Sequence, residues 1–254
     1  MHPLALRSDR HDCIGKSAPP GGEGIAGGQP NLRRVLEDRD DVREQVAYYR
    51  AQAPEYRQAD LSTGSLAVAK EKLLRLGPCE HILELAAGAG DWTQELVRIG
   101  QTVTAIDASP EMIEINKRRV ADPRVAYRQA DLFQWSPHQE YDLVFFAFWL
   151  SHVPPDLVSA FLVKVGAAVR PKGHLFIIDQ CDAYAAGPDD MVGFSHVSWE
   201  GIFEERMLRD GRTFRIVKVF YHPRLLAERM RQLGFAVTAE RVGDRLFYAI
   251  GTKS

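Results

Sequence analysis

The residues with chemical potential recur at a few places along the chain. Glu84, Gly88 and Gly90 share "ELAAGAG"; Asp107 closes "TVTAID", 17 residues beyond Gly90; Asp131 follows in "QADLF". Glycines let a ligand approach the main chain closely. A carboxylate at the end of a second strand can accept hydrogen bonds from two ribose hydroxyls, and Asp131 can accept from an exocyclic amine. Glu84 lies in an apolar run, an expensive place for a carboxylate unless something cationic or hydrogen-bonding meets it. Together these groups describe an adenosine pocket with an acidic side. Further on, "FWLSHVPP" carries His152 and "GHLFIID" ends in Asp179. Histidine suits general-base work near neutral pH, and a carboxylate one strand away can fix its tautomer.

Positioning these groups requires strands that end at one edge. From His81 onward the pattern alternates: "HILELA" reads as a buried strand, "DWTQELVRIG" as a helix, "TVTAID" as a strand, and "SPEMIEINKRRV" as a helix with Ser109 as N-cap and Pro110 in its first turn. "RVAYRQ", "YDLVFFAF" and "GHLFIID" give three more strands, with the helix "PDLVSAFLVKVGAAV" between the last two. Strands alternating with helices predict a parallel sheet covered on both faces. "HPRLLAERMRQLG" is a helix, and "FAVTAERVGDRLFYAIGT" is two strands joined near Gly243, so the last strand runs antiparallel to the others. The fold class is therefore α/β: a Rossmann-like, seven-stranded, mostly parallel sheet with helices on both faces.

The remaining segments read as appendages. Residues 1–30, with "SAPPGGEGIAGGQP", have too little to bury and form a disordered or loosely docked tail. Residues 31–77 form an N-terminal helical cover, in which Leu32, Val35, Leu36, Val42, Val46 and Tyr49 recur at helical spacing. Residues 78–254 are the core, with an insertion at 180–221 that is too long for an ordinary connection and acts with the cover as a lid. Arginines of that insertion, such as Arg206 and Arg215, read as solvated hairpin charges.

Composition narrows the function. A net charge of -2 gives no basic footprint for nucleic acid. No segment approaches the roughly 20 apolar residues of a membrane span, and Cys13, Cys79 and Cys181 show no metal-ligand spacing. The expectation is a cytoplasmic protein with no membrane or nucleic-acid partner, no metal, and a small-molecule substrate; a homo-oligomer is possible. The glycine turn argues against a dinucleotide, because Thr93 stands where that fingerprint wants a third glycine.

"ELAAGAG", "AID", "QADLF", "YDLVFFAF" and "RPKGHLFIID" occur in the order and spacing of the motifs of class I S-adenosylmethionine-dependent methyltransferases, which residues 44–252 resemble. One departure is Ala86, where that family usually has a glycine. The resemblance implies S-adenosylmethionine (SAM) as cofactor and S-adenosylhomocysteine (SAH) as product. It puts Glu84 near the methionine amino group, Ala86, Gly88 and Gly90 along the methionine portion, Asp107 and Ala108 at the ribose, Met112 and Leu132 on adenine, and Asp131 at the adenine amine. Phe148 would shape the pocket wall, and Tyr48 and Tyr56 would come from the cover. It also implies methyl transfer to a small molecule, most simply to a hydroxyl oxygen with His152 as base and Asp179 behind it. A nitrogen or carbon acceptor, and a non-catalytic SAM-binding protein of the same fold, are the alternatives.

Overall fold

The computed structural model describes residues 39–181 and 202–254. The predicted tail, the first residues of the cover and much of the insertion lie outside them.

Five parallel strands carry the site: β1 (Cys79–Leu85), β2 (Gly100–Asp107), β3 (Val125–Gln129), β4 (Tyr141–Ala147) and β5 (Val169–Gln180). A separate hairpin, β6 (Phe203–Met207) with β7 (Thr213–Val217), follows, and the chain closes with β8 (Phe235–Val242) and β9 (Leu246–Lys253). The large sheet has the order β3-β2-β1-β4-β5-β9-β8, in which β9 pairs antiparallel with both β5 and β8. Strand order reverses between β1 and β4, so a crevice opens beyond their carboxyl ends, where ligands bind in open α/β sheets.

Helices α1 (Asp40–Gln52), α2 (Gly64–Leu74), α3 (Thr93–Leu96), α4 (Pro110–Val120), α5 (Pro155–Ala168) and α6 (Pro223–Gln232) complete the described elements. Ser109 caps α4 by accepting from Met112 N at 3.1 Å. The helix expected over "DWTQELVRIG" shrinks to the single turn of α3. The glycine turn uses residues 86–92 and β2 already starts at Gly100, which leaves room for no more.

Alternation along the strands builds two apolar layers. Leu83, Leu85, Val144 and Phe146 face one side, against Leu157 of α5 and Met230 of α6. Ile82, Leu143 and Phe145 face the other, with Leu73 of α2 and Leu96 of α3. All of these but Leu157 are fully buried, and each such side chain is worth about 1.5–3 kcal/mol relative to exposure. That double-sided burial holds the strand ends in register and so fixes where Glu84, Asp107 and Phe148 emerge.

The hairpin packs on α1 through a small cluster of its own: Tyr48 with Leu208, Ile216 and Phe214. Gln45, 2% exposed, ties the two together from inside. Its Nε2 donates to His152 O at 3.0 Å, and its Oε1 accepts from Val217 N at 3.2 Å.

Candidate active site

A cavity of about 220 Å³ lies beyond the ends of β1, β2 and β4. Glu84, Ala86, Gly88, Asp107, Ala108 and Met112 line one end of the chain's contribution; Leu132, Phe148, Trp149, Tyr49, Tyr56 and His152 line the rest.

The glycine turn begins with strain. Ala86 has φ +53°, in the left-handed region that costs a residue with a Cβ about 1–2 kcal/mol. Gly88 has φ +50° and Gly90 φ +89°. Gly90 does not line the cavity; a Cβ there would fall 2.4 Å from Asn116 Oδ1, so its smallness serves close packing of the turn on α4. Asp107 locks the turn from the other side. Its Oδ2 accepts from Gly88 N at 2.8 Å and its Oδ1 from Ser109 N at 2.8 Å, so each oxygen keeps a lone pair for a ligand. Burial raises its pKa, and the backbone N–H groups of Ser109, Gly88 and Ala108 oppose that.

Glu84, 2% exposed, accepts from Thr93 Oγ1 at 2.6 Å. Burial pushes its carboxyl up to about 8, against the Thr93 hydrogen bond and with help from the Asp107 and Asp91 carboxylates. A cationic guest would reverse that shift.

Three expected residues stand elsewhere. Asp131 is absent from the cavity wall because it is committed to its own turn: Oδ1 accepts from Phe133 N at 2.9 Å and Oδ2 from Gln134 Nε2 at 3.3 Å. Its neighbour Leu132 reaches the cavity instead. Tyr48 faces the hairpin cluster, and one helical step of about 100° brings Tyr49 to the cavity in its place. Asp179 does not meet His152. Its Oδ2 accepts from Ser151 N at 2.9 Å and its Oδ1 from Gln180 N at 2.7 Å, and it is 1% exposed.

His152 is oriented by other groups. Nδ1 lies 2.7 Å from Val217 O, and since a carbonyl only accepts, Nδ1 carries the proton. Nε2 is then an acceptor, and Tyr49 OH donates to it at 2.8 Å. Burial lowers the imidazole to about 3, and Lys218 lowers it further against the Val217 bond, so the ring is neutral across the physiological range. Lys218 Nζ itself donates to Ser151 Oγ at 3.0 Å. Tyr56, from the cover, reaches Asp91 Oδ2 with its hydroxyl at 2.5 Å. Asp91 also takes Arg119 at 2.6 Å. Asp91 and Tyr49 line the cavity and escaped sequence reasoning; the signal for Asp91 was an acid directly after the glycine turn.

A methyltransferase domain family matches residues 82–173. The solved complex of DhpI with SAM and HEP is 38% identical over 83% of this chain and 97% of that one, with a TM-score of 0.72. DhpI with SAH is 37% identical over 84% and 97%, with a TM-score of 0.69. The chain belongs to the class I SAM-dependent methyltransferases. Demethylmenaquinone methyltransferase of Tropheryma whipplei is 28% identical over 42% of this chain and 45% of its own length. Nodulation protein S of Rhizobium tropici is 31% identical over 43% and 47%. The chain thus spans about half the length of the curated relatives it matches.

The cofactor of this methyltransferase family is SAM, and the cavity suits it chemically. Asp107 offers two free lone pairs, Glu84 a buried carboxylate, and Met112, Leu132 and Phe148 an apolar floor. Among the described residues, no three His, Cys, Asp or Glu side chains gather as they would around a metal ion. Among the same residues, no helix is long and apolar enough to cross a membrane.

Proposed function

We propose that this methyltransferase acts on a hydroxyl oxygen of a small molecule, with His152 as general base. Bound SAM supplies a methyl group on a sulfonium, which an acceptor displaces in line. Glu84 would receive the methionine ammonium and Asp107 the ribose hydroxyls, while Met112 and Leu132 would hold adenine. Residues 31–77 and 180–221 would cover the site and keep water out, which in-line transfer requires.

The observation that carries the reading is the Nε2 lone pair of His152 in the cavity wall, held neutral and in one tautomer by Val217 O. Tyr49 OH now occupies that lone pair. An acceptor hydroxyl that takes the place of Tyr49, or passes its proton through Tyr49, would find the base ready. The family relatives add support of a coarser kind: ubiquinone biosynthesis O-methyltransferase of Xanthomonas campestris is 28% identical over 48% of this chain. Burial makes His152 a weak base but keeps it unprotonated at any neutral pH, so its contribution depends on alignment with the acceptor.

The test is His152→Ala against a panel of hydroxylated small molecules. Turnover should fall by about 10² to 10⁴ fold, the usual worth of a positioned base, with SAM affinity retained. Unchanged turnover would remove the base and favour an amine acceptor, which needs little help in losing its proton.

A further inference from the structure

A chain of buried side chains runs behind the glycine turn. Tyr127 OH donates to Asn116 Oδ1 at 2.9 Å, Asn116 Nδ2 donates to Thr93 Oγ1 at 2.9 Å, and Thr93 Oγ1 donates to Glu84 Oε2 at 2.6 Å. Asn116 and Thr93 are both fully buried, and neither lines the cavity; Glu84 does.

The direction of this relay is fixed. Asn116 Nδ2 also faces Gly88 O at 3.3 Å and Ala87 O at 3.5 Å, and carbonyls cannot donate, so the amide orientation is determined. With Nδ2 as donor, the Thr93 oxygen accepts from Asn116 and its single hydrogen is committed to Glu84. Every donor in the chain therefore points toward the Glu84 carboxylate. Neighbouring bonds in such a chain polarise one another in a low-dielectric interior. The same amide fills the space a Cβ at Gly90 would need, so it binds the turn to α4 at the same time.

We infer that Thr93 and Asn116 are positioning residues, which hold the Glu84 carboxylate and the glycine turn in place for the α-amino group of the cofactor's methionine end. This inference rests on the SAM reading of the cavity. It also explains the threonine at the position where a dinucleotide site would carry glycine: the hydroxyl is needed as a donor to Glu84.

The experiment compares two ligands by calorimetry. SAH carries the amino-acid end, whereas 5′-methylthioadenosine keeps the nucleoside and thioether and lacks the amino group. Thr93→Val, which preserves shape and removes the donor, should weaken SAH roughly tenfold to a hundredfold, the worth of a hydrogen bond to a charged group. Affinity for 5′-methylthioadenosine should not change, and Thr93→Ser should restore SAH binding. Asn116→Ala should shift the two ligands in the same selective way. Unchanged SAH affinity in Thr93→Val would overturn the inference. So would equal loss of both ligands, which marks a purely structural role. A wild-type protein that binds neither ligand would instead sink the SAM reading of the cavity itself.

Discussion

The two ends of the cavity are built on different principles. At the cofactor end, partners are close in sequence: Glu84 with Thr93, Gly88 with Asp107, Ser109 with Met112, separations of 9, 19 and 3 residues. At the acceptor end they are distant: Tyr49 with His152, His152 with Val217, Gln45 with Val217, separations of 103, 65 and 172 residues. The first end follows from one βαβ unit and its turn. The second exists only once α1 and the β6–β7 hairpin have packed on each other and on the segment after β4. One fold thus combines a locally specified cofactor site with an acceptor site specified by tertiary packing, where changes in α1 or the hairpin can alter the acceptor without touching SAM.

Breaking the cofactor end should have the largest effect on binding. Asp107→Ala removes two charge-assisted contacts to a ligand and the lock on Gly88, so SAM affinity should fall at least about a hundredfold by calorimetry. Retained affinity would mean the ribose is held elsewhere. The acceptor end should fail separately. Gln45→Leu deprives His152 O and Val217 N of their buried partner, costing about 1–3 kcal/mol of stability in denaturant melts. It should lower kcat while SAM affinity holds, and a parallel loss of SAM binding would erase the distinction between the two ends.

The two ends also titrate in opposite senses. Glu84 is pushed up to about 8 from an ordinary value near 4.5, so the folded protein binds more protons than the unfolded chain in that window. Its contribution to stability is complete below about 4.5 and lost as pH rises through 8, by at most about 1.4 kcal/mol per pH unit. His152 is lowered to about 3 from 6.5, so its contribution is present above 6.5 and lost as pH falls through 3. Melts of ligand-free protein between pH 6.5 and 8.5 should decline in the wild type and flatten in Glu84→Gln; identical slopes would reject the buried-acid assignment. In the same frame, kcat/KM should show no acidic limb near 6.5, because His152 stays unprotonated there. A limb at that pH would show the imidazole to be more exposed to water in the working enzyme.

The smallest effect belongs to the turn. Ala86→Gly relieves about 1–2 kcal/mol of left-handed strain and returns about 0.4–1 kcal/mol to unfolded-chain entropy, for a net gain of at most about 1 kcal/mol. A loss of stability would mean that the Ala86 methyl packs usefully.

Legibility in the sequence follows the same division. The alternation from His81 onward predicted the parallel strands and the antiparallel last one, because double-sided burial writes itself into each strand as an apolar run. Ser109, Pro110 and the glycines carried their own local reasons. The length of α3 was misjudged because the demands of the turn on residues 86–92 do not appear in hydrophobic periodicity. Asp131 was assigned to a ligand when the N–H of Phe133, two residues on, had the stronger claim. Tyr48 and Tyr49 are adjacent and alike in type, and only the packing of Leu208, Ile216 and Phe214 decides which one turns toward His152. The expected His152 and Asp179 pair fails for the same reason, since Val217 O arrives from the hairpin and Ser151 N takes the carboxylate.

The amino-acid sequence by itself determined the α/β sheet, the glycine turn and the ribose carboxylate, because each rests on interactions within about 20 residues. Tertiary structure alone decided the tautomer of His152, the choice of Tyr49 over Tyr48 and the tie through Gln45. Those contacts join segments 65 to 172 residues apart, and hydrogen bonds of that kind depend on the final packing, which no local pattern records.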